Sequence, residues 1–598
     1  MRTRYSGSMR GGLERWKRGV GGRGIRQATA YALNGECDAH LDSFTASEGI
    51  AHAERYAAER TYRFIVQDGE ISTDALDKEQ LQSWIAGDDP IDGSPRGMDR
   101  SSPDADLLLD ATVNGPKTFS LAAMLDPELE AAFESMQDRL RDRILLMWQR
   151  ELNTRRGRNG VLREALSRIE VVELKHERSR ALDPHKHRHL WLSIKVLGED
   201  GKWSRVDSRV AMKFQTVINA EGDLAARTDP EWIAALAAKG LQIDPESGEI
   251  TALAHLVRPL SRRANQIEAN RETRLEQWRV EHPGQEPSPH DLAAIDRWAW
   301  SHNRPGKPVD LDEGEWAEAV RSEIAAIDSN ALAQRGPLDV TPDAPEQPVN
   351  VDLLAAQAIV EADGRAASNG GRFSAWDVRA GAIRAVARAG VRGDRAHLEA
   401  IVNQVRAVAT ERFTTDLVPG EEAPAHVKTF LSTDAATIKT DLANRLADLS
   451  VEGVRMARES VTAVAVDVLE EGVTLNAGQI ESAAIIAGTD RLVTVTGPAG
   501  AGKTTMLRVA AAALRQQRRN VVVLAPTKKA ASVAGREAQT SAASVHRFLL
   551  DHGWASVTDR AGRTRWVQTP IGGTILGHDK PYRGPRPPAL QPGDRIIT

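Results

Sequence analysis

Apolar and polar residues alternate over residues 190–196, and this period of two is typical of a β-strand. Residues 169–174 have the composition of a second strand, and the pair Asp183-Pro184 between the two runs indicates a turn. Together they predict a β-hairpin. By contrast, residues 120–150 carry apolar side chains at helical spacing, so they predict a helix.

Proline-rich stretches divide the chain into segments. Four prolines lie between Pro337 and Pro348, which is the composition of a linker, and LVPGEEAPAH marks a second break. An Ala-rich, helical region follows the linker. The predicted division is a basic N-terminal extension (1–26), an α/β domain (27–330), a linker (331–350), a helical connecting region (351–470) and a second, incomplete α/β domain (471–598).

Composition is that of a large intracellular protein. The 598 residues carry a net charge of −5, so contacts with nucleic acid must come from local basic patches. Residues 1–26 hold eight Arg or Lys and one Glu, which predicts either an arm that contacts phosphates or an unstructured extension. The only cysteine, Cys37, excludes a disulfide framework, no apolar run is long enough for membrane insertion, and the expected location is cytoplasmic.

Three histidines have the spacing of one metal site. His187 and His189 are two residues apart in the second predicted strand, so both rings should point to one face of the sheet, and the hairpin should bring His176 across to them. Three neutral imidazoles can hold a divalent cation and leave positions open for a phosphate oxygen. The alternative is three structural histidines. His185 lies beside the turn, which favours a solvated or substrate-contacting residue over a fourth ligand.

A second motif predicts a nucleotide site. The segment GPAGAGKT from Gly497 to Thr504 matches the P-loop pattern at every fixed position, with Gly500, Gly502 and Lys503 at theirs. Residues 492–496 before it have the composition of a buried strand, and the residues after it favour a helix. Backbone N–H groups of such a loop wrap phosphates, Lys503 would neutralise them, and the Thr504 hydroxyl would hold Mg²⁺. The motif predicts ATP binding.

The order of residues around the histidines resembles the histidine motif of conjugative relaxases of the TraI/TrwC (MobF) type. In that family a His is followed by Ser-Arg, then Asp-Pro, then a His-x-His pair, and the segment here reads HERSRALDPHKHRH. Upstream, DATVNGPKTFS resembles the family's Asp-x-Thr-x-x-x-Pro-Lys stretch. The resemblance covers roughly residues 27–330 and implies an HUH-type relaxase domain, an antiparallel sheet flanked by helices.

The same resemblance implies a tyrosine nucleophile near the N-terminus. Among the five tyrosines Tyr31 matches best, although the family's adjacent second tyrosine is missing. Tyr5 and Tyr56 are the next candidates, and for Tyr56 or Tyr62 a packing role is the simpler interpretation.

The resemblance gives three further residues a role. Asp110 would orient a metal-bound histidine or accept the tyrosine proton; the simpler alternative is a strand-end capping residue. Lys117 and Arg180 would contact DNA phosphates.

The segment around the P-loop resembles the first motor domain of RecD-like superfamily 1 helicases. LNAGQ, which ends at Gln479, resembles their adenine-reading glutamine motif, and SVHR at Ser544 resembles a later motif. The acidic pair that follows a strand in the family is missing after GDRIIT at the end of the chain. We therefore expect a multidomain α/β fold with only part of a P-loop helicase domain.

These resemblances imply site-specific nicking and transfer of single-stranded DNA at a plasmid or integrative-element transfer origin, through a covalent 5′-phosphotyrosyl intermediate. Expected cofactors are a divalent metal, Mg²⁺ or Mn²⁺ with Zn²⁺ or Ni²⁺ as alternatives, and ATP with Mg²⁺. Expected partners are origin DNA and relaxosome accessory and coupling proteins. Two alternatives stay open: a RecD-like helicase or repair motor whose N-terminal domain only binds DNA, and a decayed, non-catalytic plasmid accessory protein.

Overall fold

The chain folds as two compact units, Met1–Ala436 and Thr437–Thr598. The computed structural model describes residues 11–34, 61–98, 101–179, 181–283, 287–303, 313–331, 336–338, 349–367, 370–498, 500–558, 564–574, 581–585 and 590–598. Residues 1–10 of the predicted N-terminal extension and most of the predicted linker lie outside these ranges. The predicted domain boundaries stay predictions.

Within the described part of the first unit, nine strands form one antiparallel sheet. They are β1 (Leu13–Lys17), β2 (Thr61–Gln67), β3 (Glu70–Leu76), β4 (Asp106–Asn114), β5 (Asn153–Arg156), β6 (Leu162–Arg178), β7 (Pro184–Ser193), β8 (Lys195–Gly198) and β9 (Trp203–Arg205). The main order is β1-β4-β7-β6-β2-β3, and β5 and β8 pair with the first part of β6. The predicted hairpin is confirmed as β6 and β7.

Helices cover both faces of this sheet. The described helices of the first unit are α1 (Arg23–Asn34), α2 (Lys78–Ala86), α3 (Lys117–Leu125), α4 (Pro127–Glu151), α5 (Ser208–Thr228), α6 (Pro230–Ala238), α7 (Ala254–Val257), α8 (Arg262–Glu281), α9 (Pro289–Ser301), α10 (Glu313–Ile327), α11 (Val351–Ala366), α12 (Ala375–Arg388) and α13 (Arg395–Phe413). Helices α3, α4 and α5 share the larger core with Leu109 and Leu192 of the sheet. Helices α1 and α2 pack on the opposite face, against Leu108 and Trp191.

The helix predicted over residues 120–150 is in fact two helices, α3 and α4. Asp126 between them has extended backbone angles, and its carboxylate accepts the N–H groups of Glu128 and Leu129. Pro127 follows at the first helical position, where its missing N–H needs no partner. A capping residue followed by proline therefore ends one helix and starts the next.

Helices α11, α12 and α13 belong to the hydrophobic core of the first unit. The rings of Phe214 on α5 and Trp376 on α12 lie 4.8 Å apart. Gly381 on α12 permits close contact with α11, because a Cβ there would lie 2.4 Å from the Ala358 carbonyl oxygen. The buried Arg384 donates to Asp223 on α5 and, at 2.8 Å, to Glu361 on α11. This part of the predicted connecting region is therefore integral to the first unit.

A short antiparallel pair, β10 (Thr414–Asp416) and β11 (Phe430–Ser432), follows α13. Helix α14 (Thr433–Leu449) crosses the boundary between the units. The described elements of the second unit are α15 (Arg458–Val468), α16 (Ala477–Ile486), α17 (Lys503–Gln516), β12 (Val521–Ala525), α18 (Lys528–Glu537), β13 (Ser541–Ser544), α19 (Val545–Asp551), β14 (Trp554–Thr558), β15 (Thr564–Gln568) and β16 (Arg595–Ile597). Strand β12 lies between β13 and β16, parallel to both.

The strand predicted over residues 492–496 is wrong. These residues are irregular and mostly exposed, and within the described part of the chain they pair with no strand. Alternating apolar residues form a strand only where a neighbouring strand supplies backbone hydrogen bonds. The helix predicted after the P-loop is confirmed as α17.

None of the described helices combines the length and the apolar composition that a membrane-spanning helix requires.

Replacing Arg384 with Met tests whether α11 to α13 stabilise the first unit. The change leaves the buried carboxylate of Asp223 without this cation, so the free energy of unfolding should fall by about 3–5 kcal/mol. Urea unfolding followed by tryptophan fluorescence reports this unit, because eleven of the 13 tryptophans precede residue 437. Arg388→Met is the control: Arg388 pairs with the same Glu361 but is 48% exposed, so the loss should stay below about 1 kcal/mol. Equal effects would contradict the role of Arg384.

Candidate metal centre and nucleotide site

The β6–β7 hairpin brings the three predicted histidines to one face of the sheet. His176 on β6 lies directly opposite His187 on β7, and His189 lies opposite Leu174, two residues before His176. Since residues two apart on a strand share a face, all three rings lie on the side that α1 covers. The convergence expected from the spacing is present.

The other face of β7 explains why the histidines point this way. Lys186 forms ion pairs with Glu130 on α4 and Glu177 on β6. Arg188, 2% exposed, donates to Glu134 on α4 at 2.7 Å and to Glu173 on β6 at 2.8 Å. The alternation of β7 therefore directs cations to α4 and imidazoles to the opposite face.

One ring nitrogen from each of His176, His187 and His189 lies within 4.8 Å of the other two. Nδ1 of His176 lies 3.2 Å from Nε2 of His187. Among the described residues this is the only group of three or more His, Cys, Asp or Glu side chains close enough together to hold a metal ion. Three imidazole donors fit a divalent cation and leave coordination positions open.

Hydrogen bonds determine which nitrogen carries the hydrogen in two of the rings. Nδ1 of His187 lies 2.8 Å from the backbone oxygen of His185, and Nδ1 of His189 lies 2.8 Å from Oδ1 of Asp110. A carbonyl or a carboxylate oxygen can only accept, so both Nδ1 atoms are the donors. In the neutral rings Nε2 then carries the lone pair that a metal requires.

Tyr31 on α1 reaches the histidine cluster. Its hydroxyl oxygen lies 3.3 Å from Nε2 of His189. Its ring stacks on Trp191, with centroids 5.9 Å apart and planes 24° from parallel, and lies edge-on to His176 and His189. Tyr31 is 9% exposed, so the surrounding rings hold it with its hydroxyl directed at the cluster. Tyr62 on β2 is 62% exposed, while Tyr5 and Tyr56 lie outside the described residues.

Of the two residues predicted to contact DNA, the structure describes Lys117 only. Lys117 is the first residue of α3, and burial lowers the pKa of its ammonium to about 8, against the opposing effect of Asp183. Arg180 lies outside the described residues. His185 stacks on His187 with ring centroids 4.7 Å apart, and burial lowers the pKa of its imidazole well below the ordinary value.

Two residues near the site make contacts that the sequence did not predict. Asp183 was expected at a turn and within the histidine motif; in addition, its buried carboxylate accepts the N–H groups of Arg262 and Arg263 at 2.9 and 3.0 Å. These are the first residues of α8, so the hairpin turn is anchored to a helix start. Trp16 on β1 donates its indole N–H to Asp110. A contact between strands distant in sequence has no local pattern from which to predict it.

In the second unit, the P-loop ends at the start of α17. Gly500 and Gly502 have left-handed backbone angles, with φ of 75° and 70°, which favour glycine. Nζ of Lys503 donates to the carbonyl oxygens of Gly497 and Pro498, both at 2.7 Å. Thr504 is the second residue of the helix.

Gln479 lies beside the P-loop. Its Nε2 donates to the carbonyl oxygen of Ala501 at 2.9 Å, and its Oε1 accepts the backbone N–H of Asn476. The structure therefore brings Gln479 to the loop, with both polar atoms of its amide bonded within the chain.

Two family models match the chain: the TrwC relaxase over residues 43–327 and the AAA domain over residues 474–569. Among solved structures, the chain is similar to a metal-free complex of the conjugative relaxase TrwC with OriT DNA, at 17% identity and a TM-score of 0.38. A metal-bound complex of TrwC with OriT DNA matches at 18% identity with the same TM-score; each match covers 53% of this chain and 98% of that one. A copper-bound TrwC complex matches at 20% identity, covering 54% and 99%, with a TM-score of 0.37. No curated protein matches the sequence.

The fold and the two family models define a multidomain α/β protein with an antiparallel sheet domain followed by a P-loop region. Residues 43–327 match the TrwC relaxase family, and residues 474–569 match a helicase-like AAA domain. The resemblance found in the sequence and the predicted fold class are both confirmed.

The Asp110→Asn variant tests the carboxylate behind His189. The amide keeps the shape of the side chain but removes the charge that faces Nδ1, so affinity for Co²⁺ should fall about 10- to 100-fold, as is typical for partners of metal ligands. Isothermal titration calorimetry measures this affinity. Asp104→Asn, an exposed carboxylate just before β4, is the control and should bind Co²⁺ like the unchanged chain. Unchanged affinity in Asp110→Asn would exclude the role.

Proposed function

We propose that the protein nicks one strand of DNA at a transfer origin and retains the 5′ end as a phosphotyrosine on Tyr31. The observation that carries this proposal is the position of the Tyr31 hydroxyl, 3.3 Å from Nε2 of His189, at a cluster of three convergent imidazoles. These rings would hold a cation, and a phosphate group bound there would lie within reach of the phenol oxygen. The same arrangement favours a catalytic relaxase over the decayed accessory protein.

His176, His187 and His189 would hold the metal, which when bound polarises the scissile phosphate as a Lewis acid. Tyr31 supplies the nucleophile: a bond forms between its oxygen and phosphorus, and the bond from phosphorus to the 3′-oxygen breaks. The phenol gives up one proton and the 3′-oxygen gains one, so the strand leaves with a 3′-hydroxyl. Asp110 keeps Nδ1 of His189 protonated and its Nε2 directed at the site.

The surrounding residues supply further functions under this proposal. Lys117 contacts a DNA phosphate beside the site, and Arg180, which lies outside the described residues, contacts another phosphate. Origin DNA is the substrate, and relaxosome accessory and coupling proteins are the partners. The AAA region binds ATP with Mg²⁺ through Lys503 and Thr504, and Gln479 contacts the nucleotide.

The Tyr31→Phe variant tests the nucleophile. It removes one oxygen and leaves the packing against Trp191, so the chain should keep its affinity for origin DNA but form no covalent adduct. A denaturing gel of protein incubated with labelled single-stranded origin DNA and Mn²⁺ separates the two properties.

Tyr62→Phe is the matched control for this assay, since Tyr62 is exposed on β2 and its loss should leave the adduct unchanged. Adduct formation by Tyr31→Phe would assign the nucleophile to another tyrosine, with Tyr5 as the first candidate.

The Lys503→Ala variant tests whether the two activities are separate. ATP binding should be lost because the P-loop cation is gone, while DNA nicking by the first unit should persist. Binding of a fluorescent ATP analogue and the denaturing gel measure the two outcomes. Arg515→Ala, at the other end of α17, should retain both activities. Loss of nicking in a folded Lys503→Ala chain would contradict the assignment of each activity to its own unit.

A further inference from the structure

Trp16 contacts the carboxylate behind the metal centre. It lies on β1, which pairs with β4, and its indole Nε1 donates to Oδ2 of Asp110 at 3.3 Å. The other oxygen, Oδ1, lies 2.8 Å from the donor Nδ1 of His189. Two different side chains therefore hold the two oxygens of a buried carboxylate.

The same side chain also packs against the proposed nucleophile. The ring centroid of Trp16 lies 5.5 Å from that of Tyr31 and 5.4 Å from that of Trp191. These separations are typical of tilted aromatic pairs that stabilise each other. Trp16 therefore touches both the hydrogen-bond partner of His189 and the ring whose hydroxyl faces His189.

We propose that Trp16 is a positioning residue of the metal centre, which acts by holding the Asp110 carboxylate in the plane that His189 requires. A carboxylate that accepts only one hydrogen bond can rotate about its Cβ–Cγ bond. That rotation would tilt the imidazole that is hydrogen-bonded to it. The indole N–H restrains this rotation, so Nε2 of His189 stays directed at the metal position and at Tyr31. The inference rests on the proposed function for its catalytic consequence, but not for its effect on metal affinity.

The indole N–H and the aromatic ring can be tested apart. Trp16→Phe keeps a ring against Tyr31 and Trp191 and removes only the donor. We expect the affinity of the full chain for Co²⁺ alone to fall by about 10-fold, the lower end of the range for outer partners of metal ligands, with a matching change in the visible Co²⁺ spectrum. Trp16→Leu should show the same loss and also slow adduct formation further, because the ring contact with Tyr31 is gone.

A double-mutant cycle with Asp110→Asn separates positioning from general packing. If Trp16 acts through Asp110, Trp16→Phe should have no further effect on Co²⁺ affinity in the Asp110→Asn background. Independent, multiplying losses would overturn the proposal, as would unchanged affinity in Trp16→Phe itself. Trp16→Leu serves in the same cycle if the Phe variant does not fold, since it lacks the same donor.

Trp148→Phe is the matched control. Trp148 on α4 is fully buried in the core on the other face of the sheet, and its indole N–H has no hydrogen-bond partner among the described residues. This change should leave Co²⁺ affinity unaltered, and an equal loss would show that Trp16→Phe acts by destabilisation. Adduct formation by Tyr31→Phe would overturn the nucleophile assignment while leaving the Co²⁺ result for Trp16 intact, so the two failures are distinguishable.

Discussion

The register of β7 between β4 and β6 is the constraint on which the cluster of three histidines depends. A shift of one residue would turn His187 and His189 toward α4 and place Lys186 and Arg188 beside Tyr31. Both cations would then lose their partners on α4, and an unpaired buried charge destabilises a fold by several kcal/mol. The ion pairs on one face of the strand therefore specify the position of the imidazoles on the other.

On the face of the sheet that carries the three histidines, the same side chain serves both the proposed reaction and the packing of the core. Tyr31 belongs to the same apolar cluster as Ala28, Leu174 and Trp191, so the ring that carries the proposed nucleophile also docks α1 onto the sheet. Only its hydroxyl is left for the reaction. A reactive group held by core packing loses little conformational freedom when substrate binds, which is the physical content of preorganisation.

The sequence predicted those features that have a local pattern. The period of two in β7, the His spacing and the P-loop glycines each depend on neighbouring residues, and all lead to the observed elements. The contacts of Trp16 with Asp110 and of Asp183 with the start of α8 could not be predicted, because the partners are distant in sequence. The prediction of a strand at residues 492–496 was wrong for a related reason. A strand forms only beside a neighbouring strand, and the composition of the segment does not show whether one is present. The Ala-rich helices gave no hint that they complete the first core.

The packing of α11 to α13 shows that the hydrophobic core of the first unit extends beyond the segment that matches the relaxase family. The relaxase family model ends at residue 327, whereas the hydrophobic core continues to Ala409 on α13. A piece cut at the family boundary would expose the apolar face of α5 around Phe214 and leave Asp223 without Arg384. Such a piece would hold all three clustered histidines and still lack part of its own hydrophobic core. A segment exchanged between proteins by recombination would therefore have to extend beyond the family match to keep this hydrophobic core complete.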